Sequence, residues 1–257
     1  MYRPLSARAL AAVLLALVTL ATACGDSSTA KRGTTDSTAT GAAGTTGFCA
    51  AAGRLVTALG SGGDPSKALK TAIDRAPGPL AKDLSTLGEK FGTAASSGDD
   101  SAFLADDLRE TASTTFAGIA SNCDYQTANI SATEYKFGGL PATLAAGPTA
   151  FHMTNRGSEV HEMLFYRRAK GTEGDIVSIV NDEPTVSDGR LEEIGVMLPA
   201  APGEDSVLLV DLTPGDYVAV CFVAEGTTSM AQVAAHAGGD ASGDHRSLGM
   251  IKAFTVG

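Results

Sequence analysis

The chain has no tryptophan, and aromatic residues make up only 5% of it. Its interior must therefore be filled largely by small aliphatic side chains, and alanine and glycine are abundant. Basic residues are scarce as well. Lysine and arginine number 19 against 29 acidic residues, giving a net charge of −10, and no basic cluster occurs. That excludes the usual surface for nucleic acid and for electrostatic binding to anionic lipid. No Ser-His-Asp arrangement or nucleotide signature stands out. His161-Glu162-Met163-Leu164-Phe165 lacks the second histidine of a zinc-protease helix and reads as strand. The expectation is a non-enzymatic protein of one or two domains.

What is present begins with a targeting segment. Arg3 and Arg8 precede an apolar run over 9–20 that is short for a bilayer span. Ala21-Thr22-Ala23-Cys24-Gly25 follows. This resembles the bacterial lipobox, although Ala21 stands where leucine is usual and Leu20 lies one place earlier. The resemblance implies a signal peptide over 1–23 and lipidation of Cys24. The mature chain is then extracytoplasmic and anchored by its lipid to the bacterial cell membrane. The other readings of the same residues are an ordinary signal peptide with a chance cysteine, or an uncleaved anchor. Residues 24–47 are rich in Ser, Thr, Gly and Ala and have almost nothing to bury. They read as a disordered tether with an r.m.s. reach of roughly 25 Å.

Residues 48–125 read as helices. Phe48, Ala52, Leu55, Val56 and Leu59 recur at helical spacing, and Gly60 to Gly63 stop that helix. Asp64-Pro65 reads as an N-cap and first helical residue. Leu69, Ala72, Ile73 and Ala76 share one face, and Leu80, Leu84, Leu87 and Phe91 mark a third helix. Asp99 or Asp100 caps a fourth that carries Leu104, Leu108, Ala112, Phe116 and Ile119. Short connections predict an up-down-up-down four-helix bundle. Cys49 and Cys123 fall at the same end of such a bundle, and an exported compartment lets them pair. That leaves Cys221 alone, either as a small buried hydrophobe or as a metal ligand.

From residue 126 the pattern turns to β. Strands are predicted at 130–137, 149–155, 161–168, 194–198, 206–212, 216–223 and 251–256, with a turn at 144–148 and a short helix or turn within 174–181. Regular strands without interleaved helices predict a β-sandwich over 126–257. Near its end, Pro214-Gly215-Asp216-Tyr217 opens a strand that runs to Cys221. His245 and Met250 stand five positions apart before the last strand, and Asn155 to His161 forms a loop and strand start upstream. Thiolate, imidazole and thioether together are the soft donor set of a mononuclear copper site.

In this order those three blocks resemble the cupredoxins, the plastocyanin and azurin family of Greek-key β-sandwiches. The likeness covers about half the chain. It implies one copper ion held by His161, Cys221, His245 and Met250. Two features depart from the family. A long loop, residues 222–244, separates Cys221 from His245 where a short one is usual. Glu162 follows His161 where an asparagine usually braces the ligand loop. The long loop is costly to order and brings Met230 and His236 as substitute ligands or solvent-facing side chains. His152 reads as a face residue. Three of the expected ligands also have a plain reading, Cys221 and Met250 as core side chains and His161 as a sandwich-edge residue, whereas His245 lies in a polar loop where a histidine has no packing reason to be.

The resemblance implies electron transfer or copper handling with a redox or envelope protein as partner. The alternative is a copper-free cupredoxin-like module that binds a component of the cell envelope. Four histidines cannot build the additional copper centres of a multicopper oxidase.

Overall fold

The computed structural model describes residues 42–60, 65–182, 188–236 and 243–257. The expected signal segment, Cys24 and the tether as far as residue 41 lie outside the described residues. Among the described residues no helix is long and apolar enough to cross a membrane.

Four helices come first. Helix α1 (Ala42–Gly60) starts inside the stretch expected to be tether. Ala42 and Ala43 are strong helix formers, and extending an existing helix is far easier than nucleating one. Helix α2 (Ser66–Arg75) follows Pro65, which occupies the N-cap position without a side-chain cap; Asp64, expected there, is outside the described residues. Helix α3 (Gly78–Ser97) ends on Gly98 in the left-handed conformation, φ 68°. Asp99 does not cap the fourth helix. Its carboxylate accepts the Ser101 N–H at 2.9 Å and opens a 3-10 turn, Asp100–Leu104. Ala105 is then extended, ψ 131°, so helix α4 (Asp106–Asn122) begins only beyond it. Cys49 and Cys123 form a disulfide that ties α1 to the residue after α4.

The helices share their main apolar core with the β region. Phe48, Ala51, Leu55, Leu84 and Ile119 pack in one apolar cluster with Ala150, Val207 and Leu209 of the β region. The helical stripe is thus seated on a sheet, and the chain is an α+β assembly in layers.

Among the described residues the β region has nine strands in two sheets. One is ordered β2-β1-β4-β7: β1 (Gln126–Thr133), β2 (Lys136–Gly138), β4 (Gly147–Asn155) and β7 (Asp205–Leu212). The other is ordered β3-β9-β8-β5-β6: β3 (Thr143–Leu144), β5 (His161–Arg168), β6 (Leu191–Ala200), β8 (Gly215–Val220) and β9 (Ile251–Val256). Both sheets are mixed, since β1 runs parallel to β4 and β3 parallel to β9. Leu144, expected in a turn, belongs to β3.

Phe151, Met163, Phe165, Met197, Leu212, Tyr217 and Phe254 fill the space between the sheets. Phe151 stacks on Phe165 with ring centroids 4.3 Å apart, and Tyr217 on Phe254 at 5.2 Å. The Tyr217 hydroxyl donates to the Thr213 carbonyl at 2.7 Å, closing the turn through Pro214. The outer face of the second sheet is covered too. Leu164, Tyr166, Val218 and Val220 pack with Ile176, Ile179 and Val180 of the short helix α5 (Ile176–Asn181). Strand β5 is buried at every position from His161 to Tyr166 because both of its faces are covered.

Candidate metal centre

Three chain segments meet at one end of the sandwich. His161 is the first residue of β5 and Cys221 the first beyond β8, while His245 lies in the loop before β9. All three are fully buried. Their candidate donor atoms lie within 4.8 Å of one another. His161 Nδ1 is 3.1 Å from His245 Nδ1, and Cys221 Sγ is 3.4 Å from His245 Nδ1.

Backbone hydrogen bonds fix the segments. The β8 ladder stops at Val220, short of the expected 223, and the Cys221 N–H donates to Met250 O at 3.1 Å. The Met250 N–H donates to His245 O at 2.8 Å, and the His245 N–H to Val223 O at 2.9 Å. Met250 is fully buried in the same apolar cluster as Cys221, Val160 and Val223. The long loop does not loosen this arrangement, because Ala224 pairs with Asp244 in an isolated bridge that pinches the loop off at its base. Between Cys221 and the bridge only Phe222 and Val223 intervene, and Asp244 directly precedes His245. Met230 and His236 sit in helix α6 (Met230–His236) beyond it. His236 is exposed, and Met230 is half-buried against the sandwich core. His152 lies on β4, 3.7 Å from Asp205, away from the cluster.

The segment before His161 is braced by residues whose role sequence reasoning missed. Asn155 is buried and donates to Glu159 O at 2.7 Å and Ala200 O at 2.8 Å, while its oxygen accepts the Gly157 N–H at 2.9 Å. Glu134, in the β1–β2 turn, accepts from the Ser158 N–H and hydroxyl and from the Glu159 N–H at 3.1 Å. The Ser158 N–H is the main cause that holds the Glu134 carboxyl down at about 2. Gly157 is required by close approach. A Cβ there would stand 2.5 Å from Glu134 Oε1 and 2.9 Å from His161 Nε2. Glu162, noted above as a departure, accepts the Phe222 N–H at 3.3 Å, and burial pushes its carboxyl up to about 7. The usual asparagine brace is thus divided between Asn155 upstream and Glu162 downstream. The one sequence signal for this was polar residues flanking a histidine at a strand start.

Burial and the neighbouring His245 lower His161 to about 4, so its imidazole is neutral at pH 7. Burial raises the Cys221 thiol well above its usual range. A cation that takes the thiolate must therefore displace a proton. Donor atoms about 2.0–2.3 Å from one ion at roughly 100–120° stand about 3.1–3.8 Å apart. Two of the three sides of the donor triangle, 3.1 and 3.4 Å, fall in that range. Two imidazole nitrogens and one sulfur, with a buried thioether at Met250, fit a copper ion.

The β domain thus has two sheets and a buried His-Cys-His group at the ends of its strands. No family profile and no curated protein matches the chain. Among solved structures, a dithionite-reduced auracyanin from Roseiflexus castenholzii is 18% identical; the match covers 51% of this chain and 97% of that one, with a TM-score of 0.33. Auracyanin A of Chloroflexus aurantiacus, described as a "blue" copper protein, is 16% identical over 51% of this chain and 98% of its own, TM-score 0.32. A purple cupredoxin from Nitrosopumilus maritimus is 16% identical over 51% and 99%, TM-score 0.28. Multicopper oxidases match as well. McoA of Aquifex aeolicus is 14% identical over 51% of this chain and 29% of its own, TM-score 0.29.

Proposed function

We propose that the β half binds one copper ion, which His161 Nδ1, Cys221 Sγ and His245 Nδ1 would hold with Met250 as a weak further donor, and serves one-electron transfer or copper handling. The observation that carries this reading is the convergence of the three donor atoms within 4.8 Å from three separate segments. Copper supplies a one-electron couple. The chain's own residues hold the donors in place before the ion arrives and exclude water, since all three ligand side chains are fully buried. Asn155, Glu134 and the Ala224–Asp244 bridge keep the loops from relaxing. The protein acts outside the cytoplasm, held to the membrane by a lipid on Cys24, and exchanges electrons or copper with an envelope protein.

Titrating purified protein with Cu(II) while recording the visible spectrum tests the reading. One equivalent should bind and produce an intense sulfur-to-copper band. Protein that stays colourless and leaves copper in solution, with Cys221 reduced, would instead support the copper-free binding module.

A further inference from the structure

One buried acid at this end takes no part in the ligand set. The Glu159 carboxylate is only 12% exposed. One of its oxygens lies 2.9 Å from His245 Nε2 and accepts the Gly226 N–H at 2.7 Å. The other accepts the Tyr135 hydroxyl at 3.3 Å. Tyr135 also stands edge-on to the His245 ring, centroids 5.2 Å apart. Both carboxylate oxygens already accept hydrogen bonds, from Tyr135 and Gly226, so the 2.9 Å contact fits a His245 proton on Nε2. Its Nδ1 is then a lone pair, and that atom faces both His161 Nδ1 and Cys221 Sγ.

His161 is in the opposite condition. Its Nε2 is buried with no partner, so its proton sits on Nδ1, where it donates to His245 Nδ1. One imidazole is set to ligate, and the other must release the proton on its ligating nitrogen first.

We propose that Glu159 is a positioning residue for His245: it holds the tautomer whose Nδ1 is free to ligate, and its negative charge behind the ring favours the more highly charged state of the metal. A carboxylate on the far nitrogen of a ligating histidine fixes the ring and raises its basicity. Both effects favour Cu(II) over Cu(I) and lower the reduction potential. The proposal deepens the copper reading and rests on it for the identity of the metal.

The test compares the full chain with its Glu159→Gln and Glu159→Leu variants. Glutamine keeps an acceptor without the charge, and leucine removes both. Long-range proton–nitrogen NMR on apo and zinc-loaded protein reads the His245 tautomer without copper. The proton should be on Nε2 in the wild type and in Glu159→Gln, and apo Glu159→Leu should show a mixture. A wild-type His245 protonated on Nδ1, or a single Nε2–H tautomer surviving in Glu159→Leu, overturns the proposal. With copper bound, Glu159→Gln should keep the visible band and raise the reduction potential; an unmoved potential overturns the role of the charge. If no form takes copper, the copper reading fails, and the wild-type apo tautomer still decides for or against Glu159.

Discussion

The helical layer and the ligand end of the sandwich are held by different means. The helical layer is apolar, with Phe48, Leu84 and Ile119 fully buried and one disulfide closing its ends. At the ligand end, side-chain hydrogen bonds made by Asn155, Glu134, Glu159 and Glu162 are added to the apolar packing around Cys221 and Met250. The difference separates two jobs. Apolar burial, at about 25 cal/mol per Å², supplies stability without fixing any atom closely. Hydrogen bonds contribute little net stability but fix direction, which a set of metal donors needs. One polar bridge joins the two regions. Arg109 of α4 reaches Glu204 and donates to Pro199 O at 3.1 Å, and Glu204 O accepts the Asn155 N–H at 2.9 Å.

If the two jobs are separate, substitutions should divide cleanly. The largest effect expected is on colour: Cys221→Ser should abolish the visible band of the copper-loaded protein and leave its circular dichroism unchanged. Phe48→Ala should do the reverse, costing about 3–5 kcal/mol in a denaturant titration while the band stays in place. A shifted band in that variant would mean that the helical layer reaches the ligands.

How much of this was legible in the sequence follows the same division. Strands at 161–168 and 251–256 were readable because each is a β-rich run with a candidate ligand at or just before its start. His161, Cys221 and His245, which the structure brings together, were singled out by the order of their three blocks and the family resemblance, since Cys221 and His161 each had a plain packing reading as well. The seating of the helices on the sheet left only a faint trace. Val207, Leu208, Leu209 and Val210 are apolar at both parities, which means a strand covered on both faces. Glu134, Glu159 and Asn155 were invisible as site residues. A polar residue in a loop takes its role from tertiary neighbours, and spacing does not show those. The fourth helix was misplaced at its start because Asp99 caps either a helix or a 3-10 turn equally well, and the extended Ala105 decided between them.

Three smaller effects sharpen the comparison. Replacing both Cys49 and Cys123 by alanine should cost about 2–4 kcal/mol, read from thermal or denaturant unfolding, for a cross-link spanning 74 positions. Copper stoichiometry should not change. Arg109→Met removes the bridge and should cost about 1–3 kcal/mol, again with the band retained; loss of the band would show that the bridge carries ligand geometry as well as stability. His236→Ala, at an exposed helix end, should alter stability by less than about 0.5 kcal/mol and leave the spectrum as it was. A bleached His236→Ala protein beside a coloured His245→Ala protein would exchange the two histidines in the ligand set.

The central claim is that one sulfur and two imidazoles from three segments hold a single copper ion. X-ray absorption at the copper edge of the loaded protein counts those neighbours directly. The account predicts two nitrogen scatterers with imidazole outer shells and one short sulfur, and loss of that sulfur in Cys221→Ser. A first shell of oxygen and nitrogen alone in the wild type would contradict it.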